Sequence, residues 1–210
     1  RNPKEAVSQR FLTPRMRSAF KEWAVVVDAL GRGEQILILR KGGIAEARGG
    51  FRVEHPDFLL FPTLFHQQRE NVVPESQTHF DLLMRDWPPV DRVRLQYFAS
   101  AAGWWRLGSM DTVRQLKGLH IWRDEVVEER FNQGAEQALY VLALRIFRLP
   151  SPVELPQRPD YGGCRSWVDL AQEIPVEDAE PVLSDSAFAR RMGQLIHRLQ
   201  SARTDATLVA

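Results

Sequence analysis

The sequence predicts an α+β fold, in which a mixed β-sheet is flanked by helices and followed by an amphipathic C-terminal helix. Short apolar runs rich in β-branched or aromatic residues, at 36–39, 58–61 and 138–149, predict strands. Segments whose apolar residues lie three or four positions apart alternate with these runs and predict helices. The chain has 210 residues, of which 44% are hydrophobic and 26% charged, so it can bury a core of ordinary globular composition.

The N-terminal part predicts a helix, a hairpin and a third strand. Pro14 suits the first turn of a helix over the following segment, RMRSAFKEW. Residues 24–30 and 35–40 predict a β-hairpin, because the first contains three consecutive valines and a Gly-Arg-Gly turn separates the two. A helix that ends with Gly31 as its C-cap is the open alternative for the first of them. Residues 58–61 predict a third strand that stops before a proline.

The Pro88-Pro89 pair predicts a boundary between two modules. The first would span residues 15–88 and the second, also α+β, residues 89–172, with a C-terminal helix at 183–203 packing back on them. One continuous domain with a shared sheet is the alternative. After the third strand, helices are predicted at 78–84, from 109 and at 124–131, and strands at 93–99, 103–107 and 138–149. The final helix has apolar residues on one face: Phe188, Met192, Leu195, Ile196 and Leu199.

Charge and cysteine content exclude several classes of protein. The net charge is +1, from 28 basic and 27 acidic residues, which excludes a strongly basic coat but leaves room for a local basic groove. No apolar run approaches the roughly 18 residues of a membrane helix, so no membrane partner is expected. Cys164 is the single cysteine and cannot form an internal disulfide, which predicts a reducing, cytoplasmic setting. No base is adjacent to Cys164, so a structural role is expected for it.

A basic, glycine-rich turn is the first candidate binding site. Arg40 and Lys41 precede Gly42-Gly43, and adjacent glycines let a backbone approach a ligand closely. Cations beside such a turn can meet a phosphate, although a solvated loop is the alternative. Neither the P-loop nor the dinucleotide-binding pattern occurs, so no nucleotide cofactor is predicted.

Aromatic residues beside arginines form the second set of candidates. Trp104 and Trp105 could stack on a base, or form the core and rim of a sheet. Arg165 and Trp167, with the serine between them, are predicted to form a polar edge of a pocket.

The polar cluster that follows the third strand is the candidate for catalysis. If residues 63–70 open a helix, His66 and Glu70 share one face, where they could hold a metal or where the carboxylate could orient the imidazole. Gln67 between them is a binding candidate. The further ligands would be His55, Glu54 or Asp57. The alternative is that the histidine packs and the glutamate is solvated, and the sequence identifies no metal or other cofactor.

Four segments resemble a bacterial family, domain of unknown function 1802: FKEWAVVVDALGRGEQILILRKGGI, FLLFPTLFHQQ, LALRIFRLPSPVELP and YGGCRSWVDL. The resemblance covers roughly residues 18–172. It implies no catalytic residues, but members beside restriction-endonuclease-like domains imply a link to restriction–modification or DNA defence. The Pro56-Asp57 pair is not followed by the Asp/Glu-x-Lys of a restriction-type nuclease, so a nuclease would be a partner.

Three functions follow from these observations, in order of preference. The first is a module that binds nucleic acid, DNA or RNA, in such a defence system. The second is a metal-dependent hydrolase or nuclease that uses His66 and Glu70. The third is an interaction scaffold without chemistry. The sequence does not indicate the oligomeric state.

Overall fold

The computed structural model describes residues 15–41, 55–163 and 165–207. Within these ranges lie seven strands, five α-helices and two short 3-10 helices, at Arg69–Asn71 and Pro159–Tyr161. The strands are β1 (Arg15–Trp23), β2 (Leu37–Arg40), β3 (Asp57–Thr63), β4 (Arg92–Leu107), β5 (Leu139–Pro156), β6 (Trp167–Pro175) and β7 (Glu180–Pro181). The α-helices are α1 (Ala24–Gly31), α2 (Pro74–Arg85), α3 (Met110–Arg114), α4 (Asp124–Asn132) and α5 (Asp185–Thr207).

All seven strands belong to one mixed sheet, in the order β2-β5-β4-β3-β1-β6, with β7 paired to β5. Only the β1–β3 pair is parallel among the strands described. The longest pairing joins β4 to β5, from Arg92 opposite Pro156 to Leu107 opposite Leu139. The predicted α+β class, with a mixed sheet, flanking helices and a C-terminal helix, is confirmed.

Strands from both sides of Pro88-Pro89 are hydrogen-bonded to each other in this sheet. β3 precedes the two prolines in the chain, yet it pairs with β4, which follows them. β1 likewise pairs with β6. A sheet shared in this way corresponds to the alternative to two modules, which is one continuous domain.

Two predictions for the N-terminal segments are wrong. Residues 15–23 form a strand rather than a helix, because β1 is hydrogen-bonded on both sides, to β3 and to β6. Residues 24–31 form α1 rather than the first strand of a hairpin, as the alternative predicted. All of α1 except Asp28 is buried, so packing on every side outweighs the low helix propensity of its valines.

The buried apolar residues form two clusters along the sheet. Alternate residues of β3 separate them, since Phe58 and Leu60 join the larger cluster while Leu59 and Phe61 join the smaller. The larger cluster also contains all the apolar residues of β2, most of α1 and Leu195 of α5, so these two helices pack against the sheet there. Among the described helices, none combines the length and apolar composition that a membrane span requires.

Candidate functional site

Arg40 joins the two ends of the sheet. It ends β2, at one end of the strand order, yet its Nη2 donates to Ser166 Oγ at 2.7 Å, directly before β6 at the other end. Its Nη1 lies 3.3 Å from both the backbone oxygen of Lys21 and Glu22 Oε2 on β1. The sheet is therefore curled until its ends approach, with a charged residue at the closure.

Glu22 is the carboxylate at this closure. Its side chain is 1% exposed and forms an ion pair with Arg40, whose side chain is 18% exposed. Glu22 Oε1 also accepts the backbone N–H of Trp23 at 2.7 Å, at the start of α1, where a negative charge is favourable. A buried carboxylate needs such partners, because desolvation otherwise makes its charge unfavourable.

Arg130 of α4 is a second guanidinium that interacts with the same carboxylate. It is partly buried and lies over the Trp23 ring at 4.4 Å and the Trp122 ring at 5.3 Å. Its Nη1 donates a hydrogen bond to the backbone oxygen of Leu39, at 3.4 Å. Burial lowers the pKa of Arg130; the charge of Glu22 opposes this and that of Arg40 adds to it. Arg130 is thus a partly buried cation that interacts with both the carboxylate and the other guanidinium of the closure.

Lys41, predicted to meet a phosphate beside the glycine turn, is engaged with the backbone. Its Nζ donates to the carbonyls of Phe131 at 2.7 Å, Ala138 at 3.2 Å and Glu136. Burial lowers the pKa of the Lys41 ammonium, and the Glu136 charge partly offsets this. Lys41 therefore stabilises the end of α4, while Gly42 and Gly43 lie outside the described residues.

Arg106 and Trp104 extend the cluster across the sheet. Tyr140 of β5 lies between Arg40 and Arg106 in the strand register. Arg106 donates to Glu136 Oε1 from Nε at 2.9 Å and from Nη2 at 2.6 Å, so Glu136 is shared with Lys41. Trp104, two positions earlier on the same face of β4, is 52% exposed, whereas Trp105 packs against the core.

We call this group the cationic seam: Arg40, Lys41, Arg106 and Arg130, with the carboxylates Glu22 and Glu136. Each carboxylate faces two cations, and Glu129 acts on Arg130 as a weaker attraction. The seam therefore carries a surplus of positive charge, some of it in partly buried surroundings where charges interact strongly.

The candidate catalytic pair does not have the geometry of a shared helix face. Residues 63–70 do not form the helix that the spacing required, since His66 lies in a turn with φ of 59° and Glu70 lies in the first 3-10 helix. Gln67 Oε1 accepts the backbone N–H of Val25 at 3.1 Å and so caps the start of α1. No three His, Cys, Asp or Glu side chains among the described residues form a metal-binding group. A catalytic role for His66 and Glu70 stays a prediction.

The remaining candidates flank Arg40. Trp167 packs edge-on against Phe20 at 4.9 Å, Phe58 at 5.2 Å and His55 at 5.3 Å between ring centroids, so it belongs to an aromatic cluster beneath the seam. Arg165 directly precedes Ser166, the partner of Arg40. Of the other predicted residues, Glu54 and Cys164 lie outside the described ranges.

Sequence reasoning missed Glu22, Trp23 and Arg130. Glu22 and Trp23 lie in the segment predicted as a helix, so their inward positions on a strand were not visible. Arg130 lies more than 100 positions from Glu22, and no local pattern distinguishes it from a solvated helix residue. An arginine near two tryptophans can be recognised only in three dimensions.

The comparisons with known proteins confirm the family resemblance. The model of the family "Domain of unknown function (DUF1802)" matches residues 19–194. A crystal structure of ASCH from Zymomonas mobilis is 12% identical and covers 86% of this chain and 93% of its own, with a TM-score of 0.43. A mutant of that protein is 14% identical and covers 74% and 90%, also with a TM-score of 0.43. At such TM-scores the likeness supports no conclusion about function, and no curated protein matches the chain.

Proposed function

Since this chain belongs to the family described as domain of unknown function 1802, its function has to come from its own residues, and we propose that it binds single-stranded nucleic acid along the cationic seam. The observation that carries the proposal is a half-exposed indole, Trp104, beside a cluster in which four cations share two carboxylates.

The charge of the seam favours a phosphate backbone as the ligand. Two guanidiniums face Glu22, and the pKa of Arg130 is lowered by burial, so an added negative charge would relieve the repulsion between the cations. Phosphates are the negative groups that arginine binds in nucleic acids, and their contacts position a strand without reading its sequence. The nearly neutral chain as a whole can bind this way because the surplus is local.

Trp104 favours a single strand over a duplex. Trp104 is 52% exposed, and the centroid of its ring lies 6.3 Å from that of the buried Tyr140. A base can stack on an exposed indole only when its own face is free, as in unpaired DNA or RNA. Arg106 on the same face would hold the neighbouring phosphate.

We propose, more specifically, that this binding serves restriction–modification or DNA defence. In it, the chain holds a displaced or unpaired strand, and a nuclease partner supplies the cleavage. The seam supports the binding step of this proposal, and the defence setting is an expectation from the family resemblance alone.

The test is fluorescence anisotropy with labelled 12-nucleotide oligo-dT and oligo-U at 50 and 200 mM KCl. We expect Trp104→Ala to weaken binding by about fivefold to a hundredfold, which corresponds to about 1–3 kcal/mol for one stacked base. We expect Arg106→Gln to reduce the slope of log affinity against log salt by about 0.7, as for one lost phosphate contact on a single strand.

Two control variants match these changes elsewhere on the surface. Arg92 is exposed at the opposite end of β4, 14 positions from Arg106, and Arg92→Gln should leave binding unchanged. Phe65 is 58% exposed and serves as the matched aromatic, as Phe65→Ala. Absence of binding at 50 mM KCl, or wild-type affinity in Trp104→Ala, would overturn the proposal.

A further inference from the structure

A second concave site lies away from the residues of the cationic seam. It is a cavity of about 320 Å³ between α1, α2 and the first half of β4. Apolar side chains including Val27, Leu83 and Trp87 form part of its wall, and His79, Gln96 and Tyr97 add polar groups. Its volume is at the small end of the range for ligand pockets, which suits one ring system rather than a peptide or a lipid chain.

Two neighbouring residues of β4 contribute to the wall of this cavity. Gln96 and Tyr97 both line it, although successive side chains of a regular strand point to opposite faces of the sheet. The register with β5 shifts here, since Leu95 lies opposite Val153 and Tyr97 lies opposite Arg148, which leaves the extra residues on β5. Such bulges are common beside active sites.

The polar groups of these two residues have unused hydrogen-bonding capacity. Within the described residues, neither the Gln96 amide nor the Tyr97 hydroxyl makes a hydrogen bond, although Tyr97 is only 6% exposed. Its ring is fixed by close packing against Gly31 and by the Arg148 guanidinium, 5.3 Å from the ring centroid. The amide offers donors and an acceptor, and the hydroxyl offers one of each.

The two guanidiniums of the cavity wall are neutralised by carboxylates, unlike those of the seam. Asp28 forms an ion pair with Arg32, and Asp86 forms one with Arg94 at 2.8 Å. Each guanidinium has a further carboxylate, so neither is left to recruit an anion. A ligand of this cavity should therefore be uncharged where it contacts the wall.

We propose that this cavity binds an uncharged, planar heterocycle of the nucleobase class, carried either by a free nucleoside or by an unstacked base of a bound strand. Such a ring has donors and acceptors along its edge, which the Gln96 amide can pair in the bidentate manner known for glutamine and adenine. The Tyr97 hydroxyl contributes a further hydrogen bond. The indole of Trp87 provides an aromatic wall for a ring of this size.

The experiment is a calorimetric titration of the full chain with adenosine, cytidine, guanosine and uridine, at 50 and 200 mM KCl. We expect at least one nucleoside to bind with an affinity that does not depend on salt, because it is uncharged. Gln96→Ala and Tyr97→Phe should each weaken that binding at least tenfold. Gln157→Ala, at an exposed glutamine just after β5, is the matched control and should have no effect.

A second arm distinguishes the two sources of the base. If the base belongs to a strand, Gln96→Ala weakens binding of the 12-nucleotide probes as well; if it belongs to a free nucleoside, only the nucleoside titration changes. Absence of binding by all four nucleosides together with unchanged oligonucleotide affinity in Gln96→Ala would overturn the inference. Because the nucleoside arm does not involve the seam, it can succeed even if the proposed strand binding fails.

Discussion

Replacing Glu22 by Gln should destabilise the chain more than any surface charge change. The substitution keeps the side-chain shape and an oxygen that can accept the Trp23 N–H, which Glu22 now accepts at 2.7 Å. It removes only the negative charge, which interacts with both Arg40 and Arg130. The two guanidiniums would then repel each other without a carboxylate in contact with Arg40.

The magnitude follows from the distance and the burial of the pair. Glu22 and Arg40 lie 3.3 Å apart, with 1% and 18% of their side chains exposed. At that separation and an effective dielectric constant of about 20, the Coulomb attraction is about 5 kcal/mol, and broken buried pairs typically lose 3–5 kcal/mol. We therefore expect the free energy of unfolding to fall by about 3 kcal/mol or more.

Urea unfolding of the full chain, followed by tryptophan fluorescence, measures this loss. With a slope of about 2 kcal/mol per molar urea, the midpoint should fall by about 1.5 M. Glu154→Gln is the matched control, since Glu154 is 46% exposed and pairs with Arg94 at 3.0 Å, and it should lose less than about 1 kcal/mol.

A double variant tests the electrostatic explanation itself. Adding Arg40→Met to Glu22→Gln removes one of the two uncompensated charges, so the double variant should be more stable than Glu22→Gln alone. The reasoning is refuted if Glu22→Gln loses under 1 kcal/mol, or if the losses of the two single variants simply add.

Three further predictions concern packing, pH and capping. Gly31→Ala places a Cβ 2.2 Å from the buried Tyr97 ring and should lower the free energy of unfolding, measured in urea, by about 1–3 kcal/mol. Gly193→Ala, at an open position on α5, should raise it by about 0.5–1 kcal/mol. Equal effects of the two substitutions would contradict the packing argument. Burial lowers the pKa of His120 to about 4, so the unfolded chain binds more protons than the folded chain between pH 6.5 and 4. The contribution of His120 to the free energy of unfolding should therefore be full above pH 6.5 and fall by about 3 kcal/mol towards pH 4. A pH series in which the His120→Gln variant keeps that slope would exclude this residue as its cause. Lys41→Met leaves three carbonyls without their shared donor and should lower the free energy of unfolding by about 1–3 kcal/mol. Amide hydrogens at the end of α4 should then exchange faster. Unchanged exchange there would show that Lys41 does not stabilise the end of the helix.

The strands predicted from apolar runs are present in the structure. They could be predicted because a strand buried on both faces of a sheet requires apolar residues at successive positions, which the sequence shows directly. Residues 138–144 are all buried in β5 or immediately before it, and an uninterrupted apolar run is what such burial requires. β2 and β3 are present for the same reason. The family resemblance was equally accessible, since it rests on the order of residues along the chain.

The first strand and first helix were assigned incorrectly because their local signals oppose their tertiary setting. Residues 15–23 alternate only weakly between polar and apolar, and two neighbouring strands distant in sequence make them a strand. The valines of α1 favour a strand by propensity, a preference of a few tenths of a kcal/mol each. Burial of nearly the whole helix outweighs it.

The sequence by itself therefore determined the fold class, most of the strands and helices, the family, and Arg40 and Trp104 as residues of interest. Only the tertiary structure decided that Glu22 pairs with Arg40 and interacts with Arg130. It also decided that Lys41 binds carbonyls and that His66 and Glu70 share no helix face. The physical reason is that secondary structure depends on periodicity over a few residues, which a sequence displays. A charge cluster depends on how a curled sheet brings its two end strands together, and residues more than 100 positions apart carry no local trace of that contact.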